Sequence, residues 1–248
     1  MPELPEVDRC RVLVATCIGK KILKCEVKES GGGPRDGEVD LIVLEDEEEH
    51  PIAKEIVGRC LEGVGRKGKH IYWTLSGNGL HPIFHFGMTG GFVVEGIGRN
   101  VVLHSSSSKS ASTSSSPPFP PRFTKFLVTF EGDVRVAFHD ARRLGRVRLR
   151  SSPLMEPPLS LLAVDPVLDS RFQDRTFFPT FQSKLQGVAA PIKAVLLDQE
   201  RIVCGLGNWM VDEVEKGKRS SLRCQKRFMR HLILKKDAFI CIFVVSFD

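Results

Sequence analysis

FLVTF-EGD-VRVAF, residues 126–138, is two β-rich runs separated by Glu131, Gly132 and Asp133. Three residues with a central glycine predict a hairpin turn, because glycine takes the positive φ that tight hairpins require. Working outward, further short β-rich runs stand at 22–27, 39–44, 70–75, 83–86, 91–94 and 147–149. Many short strands at this spacing predict a sandwich or barrel. Before them, residues 5–17 predict a helix, with Pro5 where its missing N–H costs nothing, Val7, Cys10 and Val14 on one face, and Gly19 ending it. After residue 151 the chain becomes proline-punctuated and helical, with candidate helices at 159–162, 178–185 and 192–197. The expected class is α+β: an N-terminal helix and β-sandwich domain over 1–150, a helical domain over 151–215, and a basic, then apolar, tail over 216–248. Residues 105–121, rich in Ser and Pro, predict a disordered loop between strands.

A chain of 248 residues with 42% apolar and 27% charged residues is ordinary for a globular protein. Its longest apolar stretch, 238–247, is about half the roughly 20 residues a membrane helix needs, so no membrane partner is expected. Seven scattered cysteines without a CxxC pair predict neither a disulfide framework nor a cysteine zinc site, and point to a reducing compartment. The 36 Lys+Arg against 30 Asp+Glu give a net charge of +6, which favours polyanionic partners. The basic clusters 66–69, 142–150 and 216–230 stand apart in sequence from the acidic run Glu45 to Glu49.

Three motifs look like chemistry and read better as structure. GVGRKGK at 63–69 approaches a phosphate-binding loop, but His70 replaces the required Ser or Thr, and the following IYWTL is strand-like where a helix is needed. His81 and His85 are four apart with Pro82 between them, on a strand, and lack an accompanying HExxH carboxylate. They read as structural, so no metal and no cofactor are expected. GLG at 205–207 lacks the third glycine of a dinucleotide fingerprint and reads as a tight turn before a helix.

MPELPEV at the N-terminus carries more. Removal of Met1 before a small residue leaves Pro2 as a terminal secondary amine beside Glu3. An α-amino group has a reference pKa of about 8, well below lysine, so a useful fraction is nucleophilic at neutral pH. Attack of such an amine on a sugar C1′ gives a positive iminium that favours β-elimination of the 3′-phosphate, with a neighbouring carboxylate to move protons.

PELPEV, GRKGKH at 65–70, FHFGMTG at 84–90, DARRLG at 140–145 and DQERIVCGLGNWMVDE at 198–213 stand in one order along the chain. Together they resemble the formamidopyrimidine-DNA glycosylase family, also called 8-oxoguanine DNA glycosylase/AP lyase. Leu4 before Pro5 resembles that branch and not its endonuclease VIII cousins, which carry Gly there. The resemblance implies a base-excision-repair enzyme that removes oxidised purines and cleaves the abasic site. Its partner would be damaged double-stranded DNA, bound by a monomer. It also implies Pro2 as Schiff-base nucleophile, Glu3 as general acid/base, Lys69 as a hairpin lysine near the lesion, and Glu6 and Lys193 near the everted base. Gly205, Gly207 and Asn208 would form the phosphate-binding turn of a helix-two-turns-helix element. Met88, Arg142 and Leu144 would fill the gap left by the flipped nucleotide, with Leu144 where the family usually has Phe. Flipping costs a few kcal/mol and apolar wedges hold the gap, so Leu144 predicts an altered opposite-base preference. Each role has a structural alternative: Pro2 and Glu3 as helix caps, Lys69 as a solvated lysine, Met88 as core, Arg142 and Arg143 as nonspecific phosphate clamps.

The resemblance stops after Glu213. Neither the bacterial four-cysteine zinc finger nor the metal-free hairpin of plant and fungal members is recognisable in 214–248, so the helix-two-turns-helix domain reads as incomplete. A splice form or frameshifted gene model is the expected cause, refuted by a continuous reading frame with no intron boundary near codon 214. Alternatives are a variant that only binds damaged DNA and, further off, a basic RNA-binding protein. A nucleophile at Pro2 leaves no room for an uncleaved leader; the basic 216–230 cluster and the insert point to a nuclear, eukaryotic protein.

Overall fold

The hairpin read from residues 126–138 is the centre of a four-stranded antiparallel sheet. In the computed structural model, which describes residues 2–96, 118–170, 178–185 and 188–216, Phe130 pairs with Val134, and both Gly132 (φ +78°) and Asp133 (φ +56°) turn left-handed between them. The chain begins with α1 (Leu4–Ala15), β1 (Ile22–Glu26), α2 (Ile52–Ile56), β2 (Leu61–Lys67), β3 (His70–Leu75), β4 (His81–His85), β5 (Gly91–Val94), β6 (Thr124–Phe130), β7 (Val134–His139) and β8 (Arg146–Arg150). Three helices follow: α3 (Phe178–Leu185), α4 (Ile192–Leu197) and α5 (Asn208–Lys216). One sheet runs β1-β6-β7-β5, the other β2-β3-β4-β8. The class is α+β, with two antiparallel sheets as the spacing predicts.

The sheets close on an aromatic core. Alternation in β3 buries Ile71, Trp73 and Leu75 on one face. Trp73 lies 5.8 Å from the rings of Phe92 and Phe126 on the opposite sheet, and Phe84 lies 5.4 Å from Phe126. Such ring pairs add about 0.5–1.5 kcal/mol each beyond their burial. Cys10, on the inner face of α1, is buried against this core, and desolvation pushes its thiol up to about 11.

Three parts of the sequence reading change. First, β2 covers the glycine-rich stretch that resembled a phosphate loop. A Cβ on Gly65 would fall under 3.0 Å from the Tyr72 ring, so the glycine is there to let the ring lie across the strand. Second, residues 39–44 are turns and not a strand: the Asp40 carbonyl accepts the N–H groups of Val43 (2.9 Å) and Leu44 (2.8 Å), and only single bridges reach neighbouring strands. Third, residues 159–162 form a turn, too short to continue after Pro157 and Pro158.

The chain divides into two compact units, one holding Met1–Pro2 and Glu6–Ser160, the other Glu3–Pro5 and Leu161–Asp248. The boundary follows residue 160, past the 150/151 position read from composition, because Arg150 Nε donates to the Pro157 carbonyl (2.7 Å) and Glu156 accepts from Ser151 Oγ and Ser152 N (2.6 Å each). The second unit has its own apolar cluster of Leu4, Val195, Leu196, Ile202, Val203, Leu206, Met210 and Val211. Of the insert over 105–121, residues 105–117 lie outside the described residues, as does the tail over 217–248, while Pro121 is buried and its carbonyl accepts from Thr124 Oγ1 (2.7 Å).

Candidate active site

In the second unit, Leu4 is an anchor. Its side chain is buried among residues of α4, α5 and the turn between them, which fixes the backbone of Glu3 beside it. Glu3 is itself buried, and its carboxylate lies against Gly207, immediately before α5; a Cβ on Gly207 would fall under 3.0 Å from both oxygens. A carboxylate at the start of a nine-residue helix meets the positive end of the helix dipole. The anion that the structure places at Gly207 is thus the chain's own Glu3. Gly205 (φ +94°) is also buried and donates its N–H to Gln199 Oε1 (2.7 Å), while Gln199 Nε2 donates to the carbonyls of Leu197 (2.8 Å) and Leu206 (2.9 Å). Gln199 therefore braces the turn from inside. Sequence reading missed it, although it stands within the quoted DQERIVCGLGNW run. The two glycines serve this construction, and the exposed group at the helix start is Asn208, followed by exposed Trp209. Lys193, near the start of α4, is paired with Asp212 of α5.

In the first unit, the Gly68–Lys69 turn joins Lys67 to His70 and sets Lys69 at a hairpin tip, half-buried. Buried Arg66 holds this turn, donating to the Gly68 carbonyl (2.9 Å) and pairing with Asp8 of α1 (3.4 Å). Glu6, in the first turn of α1, is half-buried, and Pro2 is buried. Behind the hairpin, His70 and His85 face each other across β3 and β4 with ring centroids 4.7 Å apart. Burial, then the neighbouring ring and Arg148, pushes His70 down to about 3. Burial, then Lys69, Arg148 and Arg146, pushes His85 down to about 4. Both are neutral at physiological pH, and His85 Nδ1 accepts the Gly87 N–H (3.3 Å) while His81 Nδ1 accepts that of Leu75 (3.0 Å). Among the described residues no His, Cys, Asp or Glu group is arranged for a metal ion.

Met88 and Leu144 are 39% and 41% exposed, so Met88 is not a core residue. They stand on two loops tied together by one buried carboxylate. Asp140 accepts from Thr89 Oγ1 (2.5 Å), the Arg142 N–H (3.1 Å) and the Gly145 N–H (2.6 Å). The loops also meet backbone to backbone: a Cβ on Gly87 (φ +59°) would fall under 3.0 Å from the Leu144 carbonyl. This fastening brings Met88, Arg142 and Leu144 into one loop pair.

The cation count needs correction. On β8, Val147 and Leu149 point into the core while Arg146, Arg148 and Arg150 point out. The acidic run, separate in sequence, folds onto them: Glu45 pairs with Arg146 (2.7 Å) and Arg148, and Asp46 with Arg150 (2.9 Å). With Arg143, which pairs with buried Asp40 (2.8 Å), the fold uses four arginines of the 142–150 cluster internally. The Arg142 side chain is exposed, and among the described residues its guanidinium forms no ion pair.

These elements match known proteins. The profile of the formamidopyrimidine-DNA glycosylase N-terminal domain covers residues 1–147. A formamidopyrimidine-DNA glycosylase of Arabidopsis thaliana is 30% identical over 86% of this chain and 49% of its own length; one of Cereibacter sphaeroides is 32% identical over 86% and 66%. The chain therefore spans half to two thirds of these relatives. Among solved structures, MutM in complex with carbocyclic 8-oxo-G containing DNA superposes with a TM-score of 0.60 at 26% identity, covering 86% of this chain and 67% of that one. The Lactococcus lactis Fpg complex with abasic-site DNA gives 0.60 at 25%, covering 86% and 65%. With the profile spanning more than half of its residues, this chain belongs to the formamidopyrimidine-DNA glycosylase family.

Proposed function

We propose that the protein is a DNA glycosylase of base-excision repair that removes oxidised purines and then cleaves the abasic strand. The observation that carries this reading is Glu3, buried with its carboxylate against Gly207 at the start of α5 and adjacent in sequence to Pro2. After Met1 is removed, the Pro2 amine attacks C1′; an N–C1′ bond forms, the glycosidic bond breaks, and the damaged base leaves with a proton. The C1′–O4′ bond then breaks, O4′ taking a proton, and leaves an iminium that acidifies C2′; a base takes the C2′ proton and the C3′–O bond breaks, releasing the phosphate-ended strand. Glu3 serves as the proton carrier. Met88 and Leu144 fill the vacated stack, Arg142 reaches the unpaired partner base, and Lys69, Glu6 and Lys193 contact the lesion strand and everted base. Asn208 contacts phosphate. The protein acts as a monomer, without a cofactor, in the nucleus; a C-terminal fluorescent fusion tests the last point.

Borohydride trapping on duplex DNA carrying 8-oxoguanine or an abasic site, with Pro2→Gly as control, tests the mechanism. A covalent adduct that the control loses supports it. DNA binding by a cooperatively melting protein with no adduct refutes it in favour of a noncatalytic binder, and preference for RNA refutes DNA repair altogether.

A further inference from the structure

The loop carrying Arg142 and Leu144 is gripped from behind by a buried ionic cluster that the mechanism above does not use. Arg143 lies between those two residues with φ +57°, a left-handed conformation unfavourable for an arginine. Its guanidinium binds Asp40 through two nitrogens, Nε to Oδ2 (2.8 Å) and Nη2 to Oδ1 (3.0 Å), although Asp40 precedes it by 103 residues. The Asp40 side chain is 1% exposed and also pairs with Lys125 of β6 (3.0 Å), which is 2% exposed and in turn pairs with buried Glu29. Two carboxylates and two cations thus balance in a water-poor site. Burial favours the neutral acid at Asp40, but hydrogen bonds from Arg143 and Lys125 outweigh it and hold the carboxyl below its usual range.

This arrangement explains two otherwise isolated facts. Residues 39–44 abandon the strand their β-rich composition predicts, because a turn is what delivers the Asp40 carboxylate to Arg143. A non-glycine residue keeps a left-handed backbone because its side chain is anchored through two nitrogens. With Arg143 fixed, the chain directions at Arg142 and Leu144 are fixed too, in addition to the hold that Asp140 has on the loop.

We propose that Asp40 and Lys125 are positioning residues that act through Arg143 to hold Arg142 and Leu144 in register for gap filling. The proposal rests on the reading of those residues as the gap-filling pair. Three variants of the full chain test it: Asp40→Asn, which keeps shape and removes charge; Lys125→Met; and Arg143→Lys, which keeps charge and loses the fork. Val128→Ala, in the core of β6, is the stability control. In the DNA-free protein, amide exchange at residues 142–145 should accelerate about tenfold or more in Asp40→Asn and Arg143→Lys relative to the control. On duplex DNA with 2-aminopurine opposite an abasic-site analogue, the same variants should lose most of the fluorescence rise that reports gap filling. Asp40→Asn should add little once Leu144→Ala is present, because both remove the same insertion.

Loop exchange no faster than in Val128→Ala, or additive losses with Leu144→Ala, would overturn the proposal. Should Asp40→Asn fail to fold, Arg143→Lys, at a part-exposed position, decides alone. A wild-type protein that neither traps nor raises fluorescence would sink the functional reading, and the exchange measurement would still decide whether Asp40 holds the loop.

Discussion

Gly207→Ala separates a catalytic contact from a structural one. The new methyl would fall under 3.0 Å from both Glu3 oxygens, against an ordinary contact of 3.4 Å or more, and those oxygens are the far end of a flexible side chain. The carboxylate yields and the backbone stays, so overpacking costs about 1 kcal/mol, roughly 2–4 °C in melting temperature for a protein of this size. Activity should respond differently. Displacing a proton carrier by roughly 1 Å costs on the order of 100-fold in rate. Single-turnover borohydride trapping on abasic-site DNA would measure that loss, and calorimetry the melting shift. Gly87→Ala is the contrasting variant: its methyl meets the Leu144 backbone, at φ +59°, so it should lose several degrees whatever happens to the chemistry. If Gly207→Ala melts normally and traps at the wild-type rate, Glu3 does not act from the position in which the structure places it.

Other expectations follow from residues already described. Leu144→Phe should change the ratio of rates on lesions opposite C and opposite A by a few-fold while leaving abasic-site trapping intact; equal ratios would remove Leu144 from the gap. Gln199→Ala should cost about 1–3 kcal/mol, since it strands the buried Gly205 N–H, and chemical denaturation would read this directly. His70 and His85 have folded pKa values pushed below the unfolded value near 6.5, to about 3 and about 4. The unfolded chain then binds more protons, so stability should fall as pH drops from about 6.5 towards 4, by up to about 1.4 kcal/mol per unit for each ring. His70→Phe should flatten that slope, and an unchanged slope would place the acid sensitivity elsewhere.

The sheets were legible because their burial follows the period of two, as in IYWTL and RVRLR, and the 126–138 hairpin because its turn needs residues that tolerate positive φ. Strand β2 was hidden since Gly63 and Gly65 lower strand propensity, and their reason lies in Tyr72 and Thr74 on the neighbouring strand. The 39–44 segment misled because Val, Leu and Ile there satisfy a strand pattern locally, while the buried partners of Asp40 lie more than eighty residues away. Motif order pointed to Pro2, Glu3, Met88 and Arg142 as candidates, but nothing local could show that Glu45 and Asp46 neutralise β8, or that Gly207 makes room for Glu3. Gln199 was visible as a letter without a task, since its partners are backbone groups.

The assignment of Glu3–Pro5 to the unit that otherwise starts at Leu161 bears on how the chain matures. Residues made early belong with residues made much later: Leu4 packs on partners as far along as Val211. At about 5–20 residues per second, those partners emerge roughly ten to forty seconds after Leu4 does. Throughout that interval Leu4 has no second unit to join, and Met1 stays open to the peptidase whose action the proposed mechanism requires. Ribosome-bound chains stalled before residue 190 should accordingly lose Met1 faster than released, folded protein. Under the proposed mechanism, the docking of Leu4 thus sets a deadline on freeing the Pro2 amine.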